Sequence, residues 1–267
     1  MNPTQTYLAR SQGILHAVAL QEESIKEAAR WFADSILAGR LVHLFGSGHS
    51  RIMVEEMWPR YGSFPGFHPI VELSLTNHHQ VVGANGQRQA MFLENVSGLA
   101  DRILRNFHLD NRDSALIISS SGTNQVPVEM AELFKKNGIK VVALLSQRHS
   151  ETSKSKRKDG KKLADFADLV LDTGVPAGDA MVHIPGLDTP VSPGSTLGGV
   201  LVVNCLKAEV AYLLTQAGFP PTVLTAPALV GSKRSAQLFE DAYDTHSRLI
   251  SQLYNQPIST SGKKSKP

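Results

Sequence analysis

The sequence predicts an α/β protein: a parallel sheet covered by helices on both sides. Three observations carry this. Short apolar runs rich in Val, Ile and Leu alternate with stretches of helical periodicity. The runs are apolar on both faces, as strands of a doubly covered sheet are. Two of them stop at a knot of Ser and Gly and restart as helices, in RLVHLF followed by Gly46-Ser47-Gly48-His49-Ser50 and in SALII followed by Ser119-Ser120-Ser121-Gly122-Thr123-Asn124.

Taken in order, residues 5–38 place Leu8, Ile14, Leu15, Val18, Ile25, Ala28, Ala29, Phe32 and Ile36 at helical spacing. They predict one long or two shorter amphipathic helices that stop at Gly39. Strands are predicted at Leu41–Phe45, Pro69–Leu73, Ala115–Ser119, Lys140–Leu145 and Asp168–Asp172. Helices are predicted at Ser50–Trp58, Gly98–Asn106, Val126–Asn137 and Ala164–Ala167. Glu151–Lys162 is polar and basic and reads as an exposed loop, with a phosphate-binding lid as the alternative. The Gly-, Pro- and Asp-rich stretch Val175–Gly199 leads into a helix that opens near Ser195-Thr196. Residues 197–217 are apolar enough to require burial in the core or in a subunit interface. Ser235–Leu253 is a further amphipathic helix. The reading is one domain over residues 1–255, its core about 35–217, with a disordered tail at 256–267.

Composition narrows the class. The chain has 267 residues, 42% hydrophobic and 19% charged, as a soluble globular protein does. The net charge of +3 comes largely from residues 154–162 and from the tail lysines, and the remainder is acidic. That distribution argues against a nucleic-acid partner, and residues 1–38 lack a basic recognition helix. No secretory leader is read at the start and no window of about 18 apolar residues suits a membrane span, so the expected location is cytoplasmic. The lone Cys205 excludes an internal disulfide and a thiolate zinc cluster, and its apolar surroundings predict a buried thiol.

The two loops suggest a ligand. A strand that ends in small hydroxyl residues and restarts as a helix aims amide and hydroxyl donors at one spot that favours an anion. The first loop lacks the third glycine of a dinucleotide fingerprint, and no Gly-Lys-Ser/Thr makes it a Walker loop. In a flavodoxin-like order 2-1-3-4-5, strands one and three adjoin where the winding reverses, and both loops meet at one crevice.

The paired loops, ADLVLDT and the Ser195-Thr196 helix start resemble the SIS (sugar isomerase) domain family of phosphosugar-binding proteins. The likeness covers about residues 10–217 and is nearest to phosphoheptose isomerase. The N-acetylmuramic acid 6-phosphate etherases stand behind it, and an uncharacterised bacterial group of SIS proteins is similar in layout. The resemblance implies a three-layer αβα fold on a five-stranded parallel sheet, with extra N- and C-terminal helices. It implies a sugar phosphate held by Ser47, Ser50, Ser119, Ser120, Ser121, Thr123, Asn124, Ser195 and Thr196, and aldose–ketose isomerisation through an enediolate. Glu55-Glu56, followed by Arg60-Tyr61, is similar to the isomerase's catalytic segment and makes Glu56 the base. His78 falls on a histidine position of that family, and Asn85 falls where it has an acid. Asn204 stands near the family's C-terminal catalytic histidine, which leaves His183 as a substitute. The family's metal-binding histidine has no counterpart, so no metal and no cofactor are expected. The remaining readings are a non-catalytic phosphosugar sensor and an etherase or lyase acting on an amino-sugar phosphate. A capping role for Ser195 and Thr196 and solvent-facing roles for Glu55, Glu56, His78 and His79 stay open beside these. The apolar faces of the N-terminal helices and of residues 197–217 predict a homodimer or homotetramer.

Overall fold

A computed structural model describes residues 2–77 and 83–254. Its helices are α1 (Pro3–Ala19), α2 (Glu22–Leu37), α3 (Arg51–Met57), α4 (Gln87–Leu93), α5 (Leu99–Leu104) and α6 (Gln125–Lys136). They continue as α7 (Gln147–Thr152), α8 (Ser195–Gln216), α9 (Pro227–Val230) and α10 (Ser232–Tyr254). The strands are β1 (Val42–Gly46), β2 (Phe67–Ile70), β3 (Ser114–Ile118), β4 (Lys140–Leu145) and β5 (Leu169–Asp172), with a small pair β6 (Ala180–Val182) and β7 (Val191–Pro193).

β1 to β5 form one parallel sheet in the order β2-β1-β3-β4-β5. Val42 pairs with Phe67 on one side and with Ser114 on the other. The sheet's alternation divides the core in two. Val42, Leu44, Leu116, Ile118, Val142 and Leu144 face a layer containing Phe32 of α2, Val54 of α3 and Val203 and Leu206 of α8. Phe45, Ala115, Ile117, Val141, Ala143 and Leu145 face Ile103 of α5 and Met130, Ala131 and Phe134 of α6. This is the three-layer αβα arrangement, with α1 and α10 as additions at the two ends of the chain.

Several elements differ from expectation. β2 runs over 67–70 rather than 69–73, because the chain leaves the sheet at Val71 and turns through a 3-10 segment at Leu73–Leu75. The helix expected at 164–167 is a 3-10 turn, Leu163–Phe166, too short to complete an α-helical register. The stretch 175–199 contains the antiparallel pair β6–β7, in which Ala180 pairs with Pro193. α8 is a core helix on one face only, burying Val202, Val203, Leu206, Val210 and Leu214. Cys205 lies on the opposite face and is exposed, which corrects the expected buried thiol. α8 is also long and apolar enough to cross a membrane by length and composition alone. Its buried stripe against α2 and α3, and the Lys207 and Glu209 within it, mark it as a core element. The expected tail at 256–267 lies outside the described residues.

Candidate functional site

The two loops do converge. Ser47, Ser50, Ser119, Ser120, Ser121, Thr123, Asn124, Ser195 and Thr196 line one cavity of about 630 Å³ beyond the carboxyl ends of the strands. Loop geometry follows from the glycines. Gly48 (φ +55°) and Gly122 (φ +63°) adopt the left-handed conformation that lets each loop turn back toward its helix. Gly122 is also packed tightly, since a Cβ there would stand 3.1 Å from Leu145.

The second loop is a compact hydroxyl nest. Gly122 N donates to Ser119 Oγ at 3.2 Å, Thr123 N donates to Ser121 Oγ at 3.3 Å, and the Ser121 and Thr123 hydroxyls share a bond of 2.9 Å. Asn124 is the residue before α6, and its side chain makes no cap to that helix. Its Oδ1 instead accepts from Lys156 Nζ at 2.6 Å. At the start of α6, Val126 N is bonded to the Glu94 carbonyl, Pro127 has no N–H and Val128 N is bonded to the Asn124 carbonyl, so of the first four residues Gln125 alone keeps an amide for an anion.

Between the loops stands Glu94, the residue that sequence reasoning missed. It follows α4, is 9% exposed, and accepts from Ser47 Oγ at 2.7 Å. Burial pushes its carboxyl above the usual range, opposed by hydrogen bonding to Ser47 and Asn124 and by the charge of Lys156. Its backbone oxygen accepts from Val126 N of α6 at 2.9 Å. Glu94 thus ties the loop after β1 to the helix after β3. The only local signal was a single acid in the apolar run Met91-Phe92-Leu93-Glu94-Asn95-Val96. His49 lines the same cavity, and Asn77 Nδ2 lies 2.6 Å from its Nδ1. With the amide as donor, Nδ1 accepts and the proton is placed on Nε2.

Glu56 is not brought to this cavity. It lines a separate groove with Arg60, Tyr61, Phe239 and Tyr243. Its carboxylate accepts from Asn204 Nδ2 at 2.9 Å and pairs with Arg60, while Lys207 Nζ stands 4.0 Å away. Burial opposes the charge on Glu56, but these partners outweigh it and hold the carboxyl below the ordinary range. The physical reason is helix phase: six residues from Ser50 carry Glu56 well past one turn, onto a face directed at α8 and α10. His183 is exposed after β6 and is not among the residues lining the cavity. His78 lies outside the described residues. Ser195 caps nothing itself. Asp179 reaches the start of α8, taking bonds from Gly194 N (3.0 Å), Ser195 N (2.7 Å) and Ser195 Oγ (2.6 Å).

The basic segment also departs from expectation. Lys156 N donates to Thr123 O at 3.3 Å and Leu163 N to Gly122 O at 2.8 Å, so residues 156–163 are strapped onto the hydroxyl nest. Lys154 and Lys156 line the cavity. The segment is exposed on one side and forms part of the site's wall on the other.

The chain is similar to several known proteins. A UPF0309 protein of Halalkalibacterium halodurans is 34% identical over 221 residues, covering 83% of this chain and 87% of the relative. A UPF0309 protein of Listeria innocua is 29% identical over 230 residues, covering 86% and 91%. Among solved structures, the phosphoheptose isomerase GmhA from Neisseria gonorrhoeae aligns with a TM-score of 0.48 at 14% identity, covering 78% of this chain and 96% of that one. The Vibrio vulnificus NanR protein complexed with ManNAc-6P aligns at 0.45 and 16% identity, covering 94% and 72%. Residues 6–146 match the SIS domain itself. The chain belongs to the SIS domain family.

Proposed function

We propose that the chain binds a phosphorylated sugar in this cavity and catalyses its aldose–ketose isomerisation, with Glu94 as the base. The observation that carries the reading is a buried carboxylate joined to both strand-end loops, beside a nest of hydroxyls at a helix N-terminus. The phosphate sits on Ser119, Ser121, Thr123 and the Gln125 amide at the start of α6, where hydroxyl donors are plentiful and the helix dipole favours negative charge. Ser47 and Ser50 face the sugar hydroxyls.

On the open-chain sugar, Glu94 takes the proton from the carbon beside the carbonyl, and the electron pair moves onto the carbonyl oxygen. The Nε2–H of His49 hydrogen-bonds that oxygen. The proton of the neighbouring hydroxyl passes to it, and Glu94 returns its own proton to the former carbonyl carbon. A carboxyl raised by burial is suited to this work, because a base acts best when its pKa approaches the operating pH. The step as written needs no cofactor. Glu56, tied to Asn204 and Arg60 in its own groove, is assigned no part in it.

Sugar phosphates incubated in deuterium oxide test the reading. Wild type is expected to place deuterium at the carbon beside the carbonyl, and Glu94→Gln to lose that exchange while keeping ligand-induced thermal stabilisation. Stabilisation of wild type without any exchange would make the protein a phosphosugar sensor, and release of a leaving group would make it a lyase. The protein is further read as a single-domain, cytoplasmic homodimer or homotetramer. Leu8 and Leu15 of α1, Leu20 between α1 and α2 and Tyr212 of α8 are exposed apolar positions that an assembly would cover. Light scattering showing a monomer at micromolar concentration would refute the assembly.

A further inference from the structure

The cavity is longer than the proposed reaction needs. It runs from Ser47, after β1, to Thr173, after β5. β1, β3, β4 and β5 are consecutive neighbours, so at the usual strand spacing these ends lie roughly 14 Å apart. A sugar phosphate with its phosphate over β3 and its reacting carbons at Glu94 covers only the half toward β1. The half over β4 and β5 stays open.

That second half is built of polar groups that lack partners. Thr173 is 3% exposed, and its hydroxyl has no hydrogen-bond partner among the described residues. The buried Ser120 Oγ and His149 Nδ1 are in the same position, and all three residues line this cavity. Buried polar atoms ordinarily find partners, so three orphans around one space call for a ligand.

Charge decides the kind of ligand. Of the strap's cations, Arg157 is paired with Glu132 and Asp159, Lys162 is bonded to the Ser150 carbonyl, and Lys156 is held on Asn124. Lys154 lines the cavity and has no hydrogen-bond or ion-pair partner among the described residues. The carboxylate on this side, Asp179, is occupied in capping α8. Hydroxyls, an imidazole and an unpaired ammonium around one space suit an anionic oxygen group.

We propose that the ligand carries a second anionic group besides its sugar phosphate, a carboxylate or a further phosphate, held over the ends of β4 and β5 by Thr173, Ser120, His149 and Lys154. This rests on the phosphosugar reading above and narrows its substrate class. Calorimetric titration of the full chain tests it with three probes: glucose 6-phosphate with one anion, 6-phosphogluconate with an added carboxylate, and fructose 1,6-bisphosphate with an added phosphate. At least one two-anion probe should bind tenfold or more tightly than glucose 6-phosphate, and which one it is identifies the group. Thr173→Val and Lys154→Met should each remove most of that advantage and leave the Kd for glucose 6-phosphate within about twofold. Thr173→Val should not lower the ligand-free Tm, since the hydroxyl it removes is unpartnered. Equal binding of all three probes would overturn the proposal. So would an equal loss for one-anion and two-anion probes in the variants, which would mean that these groups serve the single phosphate. Failure of every probe to bind the folded protein would overturn the phosphosugar reading as well.

Discussion

Replacing Asp113 by Asn should cost the fold about 3–5 kcal/mol, the usual penalty for stranding one member of a buried ion pair. Asp113 stands just before β3, at the end of the sheet opposite the cavity, and its side chain is fully buried. Its Oδ1 accepts from Arg40 Nε at 2.9 Å and from Leu41 N at 3.3 Å. Its Oδ2 accepts from Arg40 Nη2 at 2.9 Å and Asp110 N at 2.8 Å, and His43 Nε2 lies 3.2 Å away. The amide keeps the shape but takes from the 7%-exposed Arg40 guanidinium the carboxylate it grips through Nε and Nη2. Burial opposes ionisation of Asp113, but His43 beside it and the bonds from Arg40 outweigh it and bring the carboxyl down to about 2.

Because the folded-state value lies below the unfolded one, the ionised carboxylate stabilises the fold fully above about pH 4, and that contribution fades as pH falls through 2. The difference amounts to about 2.5 kcal/mol at neutral pH. Urea unfolding followed by circular dichroism at pH 7 and pH 3 measures it. The wild-type advantage over Asp113→Asn should shrink by about 1 kcal/mol at the lower pH. Phosphate-ligand affinity should not change, since the cavity lies at the other end of the strands. A penalty below about 1 kcal/mol, or one equal at both pH values, would refute the reasoning.

Ser47→Ala removes a bond that favours the charged form of Glu94, so the acid limb of the pH–rate profile should move upward; an unmoved limb would remove Glu94 from the rate. Gly198→Ala should unfold or severely destabilise the protein, because its Cβ would stand 2.0 Å from the Thr173 carbonyl oxygen; a Tm within a few degrees of wild type would contradict that packing. His68, 5% exposed and 2.9 Å from His43 through their Nδ1 atoms, is held well below the ordinary histidine value by burial and by the neighbouring His43 and His246. The unfolded chain therefore takes up a proton first as pH falls below about 6.5, and stability drops there. His68→Leu should flatten the stability curve between pH 6.5 and 5, as thermal melts across that range would show.

The sheet was legible because β1, β3 and β4 are short, doubly buried runs whose burial admits few alternatives to a covered parallel sheet. The loops were legible because Ser119 to Asn124 hold more donors than a turn needs. Glu94 was not. It stands alone in an apolar run, and its importance comes from Ser47, 47 positions earlier, and from Val126 of α6. The family likeness at Glu56 and Asn204 did locate two residues that meet, at 2.9 Å, yet on a face of α3 turned from the hydroxyl nest. Lys154 and Lys156 read as solvated because a lysine run carries no sign of the carbonyls of Gly122 and Thr123 that anchor its strap. What escaped the sequence is long-range pairing, which no local periodicity encodes.

The bond between Ser47 and Glu94 also sets the terms on which the proposed sugar phosphate can enter. The acid already has a donor within the protein, so a ligand engaging Glu94 swaps one hydrogen bond for another and gains little net attraction from it. The hydroxyl released in that swap becomes a donor for the incoming sugar. In the proposed reaction, arrival of substrate thus rewires Glu94 from scaffold to reagent, and affinity has to come from the ligand's anionic groups.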